Sequence, residues 1–104
     1  MNVFVANFTD ADIDEKHIKR LITKHLAKQK THRILKISVV FLAPARMQKL
    51  NNHYRKKDYI PDILTFPEPL YEIMICPEQA KKNGHSIDFL IEHGLNHLVG
   101  KHHG

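Results

Sequence analysis

Apolar residues along this chain follow two patterns, short apolar runs and apolar positions at helical spacing. Runs rich in β-branched and aromatic residues predict four strands, at residues 3–8, 34–42, 62–66 and 70–76. The run at 34–42 is nearly continuous, as is typical of a buried central strand. Pro67 and Pro69 stop the third strand, because proline cannot donate to a strand ladder.

Helical spacing lies between and after these runs. It predicts a first helix over residues 14–29, with Ile18, Leu21, Ile22 and Leu26 facing inward. A second helix begins at Pro44 and has Met47, Leu50 and Tyr54 on one side. A further helix follows Ser86, and its residues for burial are Phe89, Leu90, Leu95 and Leu98. Thr9, Asp10 and Asp12 offer N-cap oxygens for the first helix, and Ser86 for the last. A short helix at 78–82 ends near Gly84. Strands and helices alternate, so we expect an α/β (α+β) fold: one domain, residues 1–104, with about four strands covered by helices.

Charge and cysteine content limit the partners. The 104 residues carry a net charge of +5, which favours an anionic partner. One face of the first helix carries the basic residues Lys16, Lys19, Arg20, Lys24 and Lys28. We interpret it as a solvated face rather than an RNA-contacting one.

The chain has a single cysteine, Cys76, so it cannot form an intrachain disulfide, which fits a reducing cytosol. We expect Cys76 to be a small buried hydrophobe. No signal peptide or membrane-spanning run is visible, so we expect a cytoplasmic protein without membrane contact.

The strongest chemical signal is the spacing H-x3-H-x5-H formed by His93, His97 and His103, with Gly100 between the second and third histidines. Histidines four apart on a helix lie on one face and can reach one metal ion. A glycine three residues later can take the left-handed conformation that ends a helix, so that the chain turns back toward the ion. Three protein ligands leave one tetrahedral position open, as in catalytic zinc sites.

The same spacing occurs in metzincin metalloproteases, where a glutamate follows the first histidine and acts as general base. Here that position is Gly94. A metalloprotease is therefore disfavoured.

Three segments together resemble the YbeY family of metal-dependent rRNA-processing endoribonucleases. They are similar to L-N-x-x-Y-R-x-K-D at residues 50–58, to T-D-V-L-S-F-P at 62–67, and to G-H-S at 84–86 followed by the histidine motif at 93–103. Pro61 replaces the threonine of the second motif. The resemblance covers roughly residues 37 to 103 in the same order. It implies an α/β domain with a mostly parallel four-stranded sheet.

The resemblance also implies an activity and a site. The activity is single-strand RNA cleavage in rRNA maturation and ribosome quality control, by metal-activated water, so the expected partner is RNA, as rRNA or a ribosomal subunit. His93, His97 and His103 match the three metal ligands, and we expect one Zn²⁺ per chain. Arg55 matches the motif arginine, which we expect to pair with a phosphate and stabilise charge in the transition state.

The general base is not assigned by the motif. Glu72 and Glu92 are the carboxylates to test, although Glu92 should project about 100° away from His93 on the helix. His53 and His85 are further candidates, and a metal hydroxide needs no separate base. Asp62 is expected to be structural, and Tyr54 to face the core rather than stack on a base.

Several residues depart from the family pattern. Asn96 replaces a leucine, His102 precedes the third ligand in place of aspartate, and the segment between Ser86 and His93 is about one helical turn shorter. These departures keep a second hypothesis open: a catalytically weak or inactive, ribosome-associated RNA-binding factor.

Overall fold

Four strands and four helices follow one another in the computed structural model, which describes residues 2–29 and 34–100. The strands are β1 (Asn2–Asn7), β2 (Lys36–Phe41), β3 (Ile63–Phe66) and β4 (Glu72–Ile75). The helices are α1 (Glu15–Lys28), α2 (Pro44–Arg55), α3 (Pro77–Asn83) and α4 (Ile87–Leu98). Every element predicted from the apolar pattern is present, with ends that differ by one or two residues.

The strands form one sheet in the order β1-β2-β4-β3. β1 pairs with β2 and β2 with β4 in parallel, whereas β3 pairs antiparallel to β4. The expected mostly parallel, mixed sheet in an α+β domain is confirmed. This order leaves β3 at an edge of the sheet, with one side of its backbone unpaired by any strand in the described part of the chain.

Helices cover both faces of the sheet because alternate strand residues point to opposite sides. On one face α1 and α4 enclose the larger core, in which Ile22, Ile37, Ile73 and Leu95 are fully buried. On the other face α2 packs over β3 and β4, where Met47 lies in a second cluster with Leu64 and Cys76.

Polar side chains also join α1 to α4. His17 Nε2 lies 2.8 Å from Asp88 Oδ2, and His25 Nε2 lies 3.0 Å from Asn96 Oδ1. Asn96, which departs from the family's leucine, therefore has a polar partner on the neighbouring helix.

The prediction of the first helix cap was wrong, whereas the last was confirmed. Asp14, not Thr9, Asp10 or Asp12, caps α1, because its Oδ1 accepts from His17 N at 3.1 Å. Thr9 is instead held in a turn, where its Oγ donates to Asn7 Oδ1 at 2.6 Å and accepts from Ala11 N. Ser86 Oγ accepts from Phe89 N at 3.0 Å and caps α4.

Cys76 follows β4 and is completely buried with a free thiol, as expected for a small hydrophobe. Burial raises the pKa of this thiol above its ordinary value, because the thiolate is disfavoured away from water.

Across residues 2–29 and 34–100, no helix combines the length and the apolar character that crossing a bilayer requires.

Candidate metal centre and cleft

His93 and His97 present their imidazoles to the same point in space. They lie one turn apart on α4, and their Nε2 atoms are 3.2 Å apart. Both side chains are exposed. The predicted convergence of these two histidines is therefore present in the structure.

This separation fits a shared metal ion. Zinc–imidazole bonds of about 2.0–2.1 Å at a tetrahedral angle place two ligand nitrogens about 3.3 Å apart. Within the described residues, no group of three or more histidine, cysteine or acidic side chains is positioned to hold a metal. The third predicted ligand, His103, lies outside the described residues, as does His102. Gly100 takes the predicted left-handed conformation, with φ of 77°.

Arg55 lies in the same cleft as the histidine pair. We name this feature the histidine cleft: about 320 Å³, lined by Arg55, Ile63, Leu64, Thr65, His93 and His97. Arg55 is the last residue of α2, and its Nη1 donates to Tyr59 Oη at 3.3 Å. Of the four residues predicted for the site, the structure brings three together.

The backbone turns sharply directly after Arg55. Lys56 has a left-handed conformation with φ of 57° and ends α2, its N–H donating to the carbonyl oxygens of Asn51 and Asn52. Asn51 is buried, and its Nδ2 donates to the Tyr59 carbonyl at 3.0 Å. This side chain therefore ties the loop after Arg55 to the helix that presents Arg55.

Asn51 was not among the residues predicted for the site. It belongs to the L-N-x-x-Y-R segment, but the asparagine alone does not indicate burial. Its Oδ1 has no hydrogen-bond partner within the described part of the chain.

The floor of the histidine cleft is the free edge of β3. Cys76 N donates to the Asp62 carbonyl at 2.9 Å, and Leu64 and Phe66 are the next hydrogen-bonded positions in an alternating antiparallel ladder. The backbone N–H and C=O groups of Ile63 and Thr65 therefore point away from β4, at the edge of the sheet.

Gly94 lets α4 lie directly on the sheet. A Cβ at this position would lie 3.1 Å from Ile63 Cδ1 and 3.2 Å from both Ile73 Cδ1 and Thr65 Cγ2. These are tight contacts, so a larger side chain would separate α4 from β3. Position 94 therefore faces the sheet and not the cleft, which explains physically why the metzincin glutamate does not fit here.

The candidate general bases lie in different surroundings. Glu92 points toward α1, where its Oε2 lies 3.7 Å from His25 Nδ1, as its helical position predicts. Glu72 pairs in register with Phe66 and does not line the histidine cleft. His53 contacts the Tyr54 ring and is also absent from the cleft lining.

Asp62 and His85 form a pair beside the start of β3. Asp62 Oδ2 lies 2.7 Å from His85 Nδ1 and accepts from Asn83 Nδ2 at 3.1 Å. Asp62 thus connects the start of β3 to the segment before α4, consistent with the structural role expected for it.

Two aromatic residues are exposed where burial was predicted. Tyr54 is 59% exposed and meets Phe66 edge to face, and Phe89 is 51% exposed. Phe89 lies four residues before His93 and so belongs to the histidine side of α4. The i, i+4 relation to His93 and His97 was the signal in the sequence that could have identified this exposure.

Sequence and structure comparisons agree on the family of this chain. A family model described as Endoribonuclease YbeY matches residues 4–104. The Endoribonuclease YbeY of Staphylococcus carnosus (strain TM300) is 30% identical over 128 aligned residues, covering 97% of this chain and 84% of the relative. That of Macrococcus caseolyticus (strain JCSC5402) is 32% identical over 119 residues, covering 90% and 77%. Both alignments are longer than the chain, because the relatives carry additional residues inside the matched region.

The fold has a solved counterpart. The solution structure of TM1509 from Thermotoga maritima matches with a TM-score of 0.60 at 20% identity, covering 93% of this chain and 69% of the other. At this identity the likeness shows a shared fold. Since the family model spans nearly the whole chain and relatives at 30% identity match over most of their own length, this protein belongs to the Endoribonuclease YbeY family.

Proposed function

We propose that this protein is a zinc-dependent endoribonuclease that cleaves single-stranded RNA during rRNA maturation and ribosome quality control. The observation that carries the proposal is the meeting of His93, His97 and Arg55 in one cleft, with the two Nε2 atoms 3.2 Å apart. Membership of a family whose members are named as endoribonucleases supports the reaction class.

The histidines are the proposed ligands of one Zn²⁺ per chain, with His103 as the third. When bound, zinc supplies Lewis acidity to a phosphoryl oxygen and lowers the pKa of a water toward about 7. His93 and His97 contribute neutral nitrogen ligands from a helix that is fixed against the sheet by the close approach at Gly94. The close packing of α4 on the sheet holds the two histidines in a fixed position relative to β3.

Arg55 is the proposed phosphate-binding residue. Its planar guanidinium can donate two parallel hydrogen bonds to phosphate oxygens. The hydrogen bond to Tyr59 Oη uses one amino group and leaves other N–H donors for the substrate. Arg55 thereby orients the scissile phosphodiester opposite the histidines and stabilises the charge that grows on it.

The structure supports a route without a separate carboxylate base. Glu92 contacts His25 on α1, and Gly94 faces the sheet. Neither Glu72 nor His85 lines the histidine cleft. We therefore propose that no carboxylate of this chain serves as general base, and that a zinc ion held by His93, His97 and His103 would supply the acidification of the nucleophile.

The second candidate function is a ribosome-associated RNA-binding factor with little or no catalysis. The exposed basic residues of α1 and the loop lysines after Arg55 suit phosphate binding whether or not RNA is cleaved. The shorter segment before His93 also favours this alternative.

We further propose that residues 1–104 act as one metal-dependent hydrolase domain in the cytoplasm. The free, buried Cys76 suits a reducing compartment.

The test is cleavage of a single-stranded RNA by protein purified without a histidine tag. We expect zinc-loaded wild type to cleave it, a chelator to stop cleavage, and added zinc to restore it. His97→Ala should abolish cleavage while the circular dichroism spectrum and the urea midpoint stay close to those of wild type. RNA binding without cleavage in the zinc-loaded wild type would favour the RNA-binding factor.

A further inference from the structure

A row of aromatic rings begins just before α4 and continues along one side of that helix. His85, Phe89, His93 and His97 follow one another at intervals of four residues, each ring contacting the next. The apolar residues of the opposite side of α4 are buried: Leu90, Ile91, Leu95 and Leu98. Phe89 alone places an apolar side chain on the histidine side, where it is 51% exposed.

The orientation of Phe89 is fixed by its neighbours. Its ring is stacked with that of His93 at 17° between planes and 6.0 Å between centroids. It also contacts the His85 ring, at 5.1 Å between centroids and 40° between planes. His85 is itself anchored by Asp62 at 2.7 Å, and the Asp62 side chain is only 13% exposed. The phenyl ring is therefore flanked by one ring on α4 and one ring in the segment before it, while half of its surface faces solvent.

Phe89 also lies beside the site of the proposed reaction. It is one helical turn, about 6 Å, from His93, which lines the histidine cleft. A strand whose phosphate is held between Arg55 and the histidines would therefore bring an adjacent nucleotide within reach of this ring.

We propose that Phe89 is a stacking platform for one unpaired RNA base next to the scissile phosphate. This inference rests on the proposed function, because it takes RNA as the substrate of the histidine cleft. Aromatic rings bind bases of any identity through their faces, so the contact is tolerant of sequence. A base held in a duplex cannot leave its own stack without cost, so Phe89 selects for single-stranded RNA.

The absence of tryptophan from the chain permits a direct test. Phe89→Trp places a single tryptophan at the proposed platform, where stacking with a base quenches its fluorescence. The matched control is Phe8→Trp, because Phe8 is also exposed, at 69%, but lines a different cleft that contains Asp10, Glu78 and Lys81.

The titration uses the full chain, treated with chelator so that RNA stays intact, and an unstructured oligoribonucleotide. We expect saturable quenching of Phe89→Trp and little change in Phe8→Trp. The same oligonucleotide annealed to its complement should quench Phe89→Trp far less. Equal quenching by the duplex, or none by the single strand, overturns the proposal.

Binding of a labelled RNA, followed by anisotropy, supplies a second measurement. Phe89→Ala should weaken the affinity roughly 5- to 150-fold, the loss expected for one stacked base. Phe89→Trp should keep the affinity of wild type. An unchanged affinity in Phe89→Ala contradicts the proposal.

Failure of this inference differs from failure of the proposed function. Quenching at position 89 without zinc-dependent cleavage supports the platform and contradicts the nuclease. Zinc-dependent cleavage without quenching supports the nuclease and contradicts the platform. If the protein binds no RNA at all, both are wrong.

Discussion

His93 and His97 approach one another to 3.2 Å through their Nε2 atoms, a separation that suits two ligands of one tetrahedral ion. Protein purified without a tag should therefore contain about one zinc per chain by elemental mass spectrometry. His97→Ala should lose the zinc, whereas His53→Ala should keep it, because His53 lies outside the cleft. Stoichiometric zinc in His97→Ala, or none in wild type, would contradict the site.

Arg55 is expected to contribute through the shape of its guanidinium as well as its charge. Arg55→Ala should slow single-turnover RNA cleavage roughly 100-fold or more, the usual loss for one transition-state donor. Arg55→Lys should restore only part of the rate, because a lysine cannot donate in the same planar arrangement.

The control for Arg55 is Lys57→Ala, which removes one positive charge from the exposed loop that follows Arg55. Its effect should be limited to weaker binding that depends on salt. Equal losses of rate in Arg55→Ala and Lys57→Ala would reduce the role of Arg55 to general electrostatics.

Gly94→Ala should lower the free energy of unfolding by about 1 kcal/mol. Overpacking costs about 1–3 kcal/mol, and the better helix propensity of alanine offsets about 1 kcal/mol of that. In an Ile73→Val background the loss should be smaller, because one of the three close contacts has been removed. Urea unfolding of the four proteins measures this coupling, and a net stabilisation by Gly94→Ala would show that α4 does not lie as close to the sheet.

Asn51 and Asn52 are adjacent residues with opposite environments. Asn51→Ala removes a buried donor and leaves the Tyr59 carbonyl without its partner, so we expect a loss of about 1–3 kcal/mol in the free energy of unfolding. Asn52 is exposed and bonds to Asp58, so Asn52→Ala should change stability by less than about 0.5 kcal/mol. Similar urea midpoints for the two variants would contradict the anchoring role of Asn51.

Because Cys76 is buried as a thiol, we expect it to lower the free energy of unfolding at alkaline pH. Its pKa is raised by burial, so the folded protein holds the thiol proton at pH values where the unfolded chain has released it. The stabilising contribution is complete below pH 9.0, the ordinary pKa of the thiol, and is lost as pH rises from there through the folded pKa. Urea unfolding at pH 8 and pH 10.5 should show a smaller alkaline loss in Cys76→Ala than in wild type. Equal losses in the two proteins would contradict this account.

The architecture could be predicted from the chain because its elements have strong local signals. The apolar run that became β2 and the helical spacing of Ile18, Ile22 and Leu26 identify elements that are buried as predicted. The positions of His93 and His97 followed from helical spacing alone. The direction and place of β3 were not encoded locally, because pairing with β4 depends on contacts across the sheet.

Side-chain exposure was harder to predict at the site. Phe89 and Tyr54 are large aromatic residues, which periodicity assigns to the core. Each instead lies on a helix surface beside other rings, where exposure is decided by which elements cover that surface. Gly94 shows the same limit, since its sequence context identified a missing general base but not the three side chains that occupy its space.

All of the described residues that line the histidine cleft occur between Arg55 and His97, in the second half of the chain. β1 and α1 support the sheet and α4 but contribute no side chain to that lining. The described part of the proposed site is thus contributed by residues 55–97, while β1 and α1 contribute only packing against the sheet and α4. Substitutions in β1, and at α1 positions that do not contact α4, should therefore change stability more than the geometry of the proposed site, which places different constraints on the two halves of the chain.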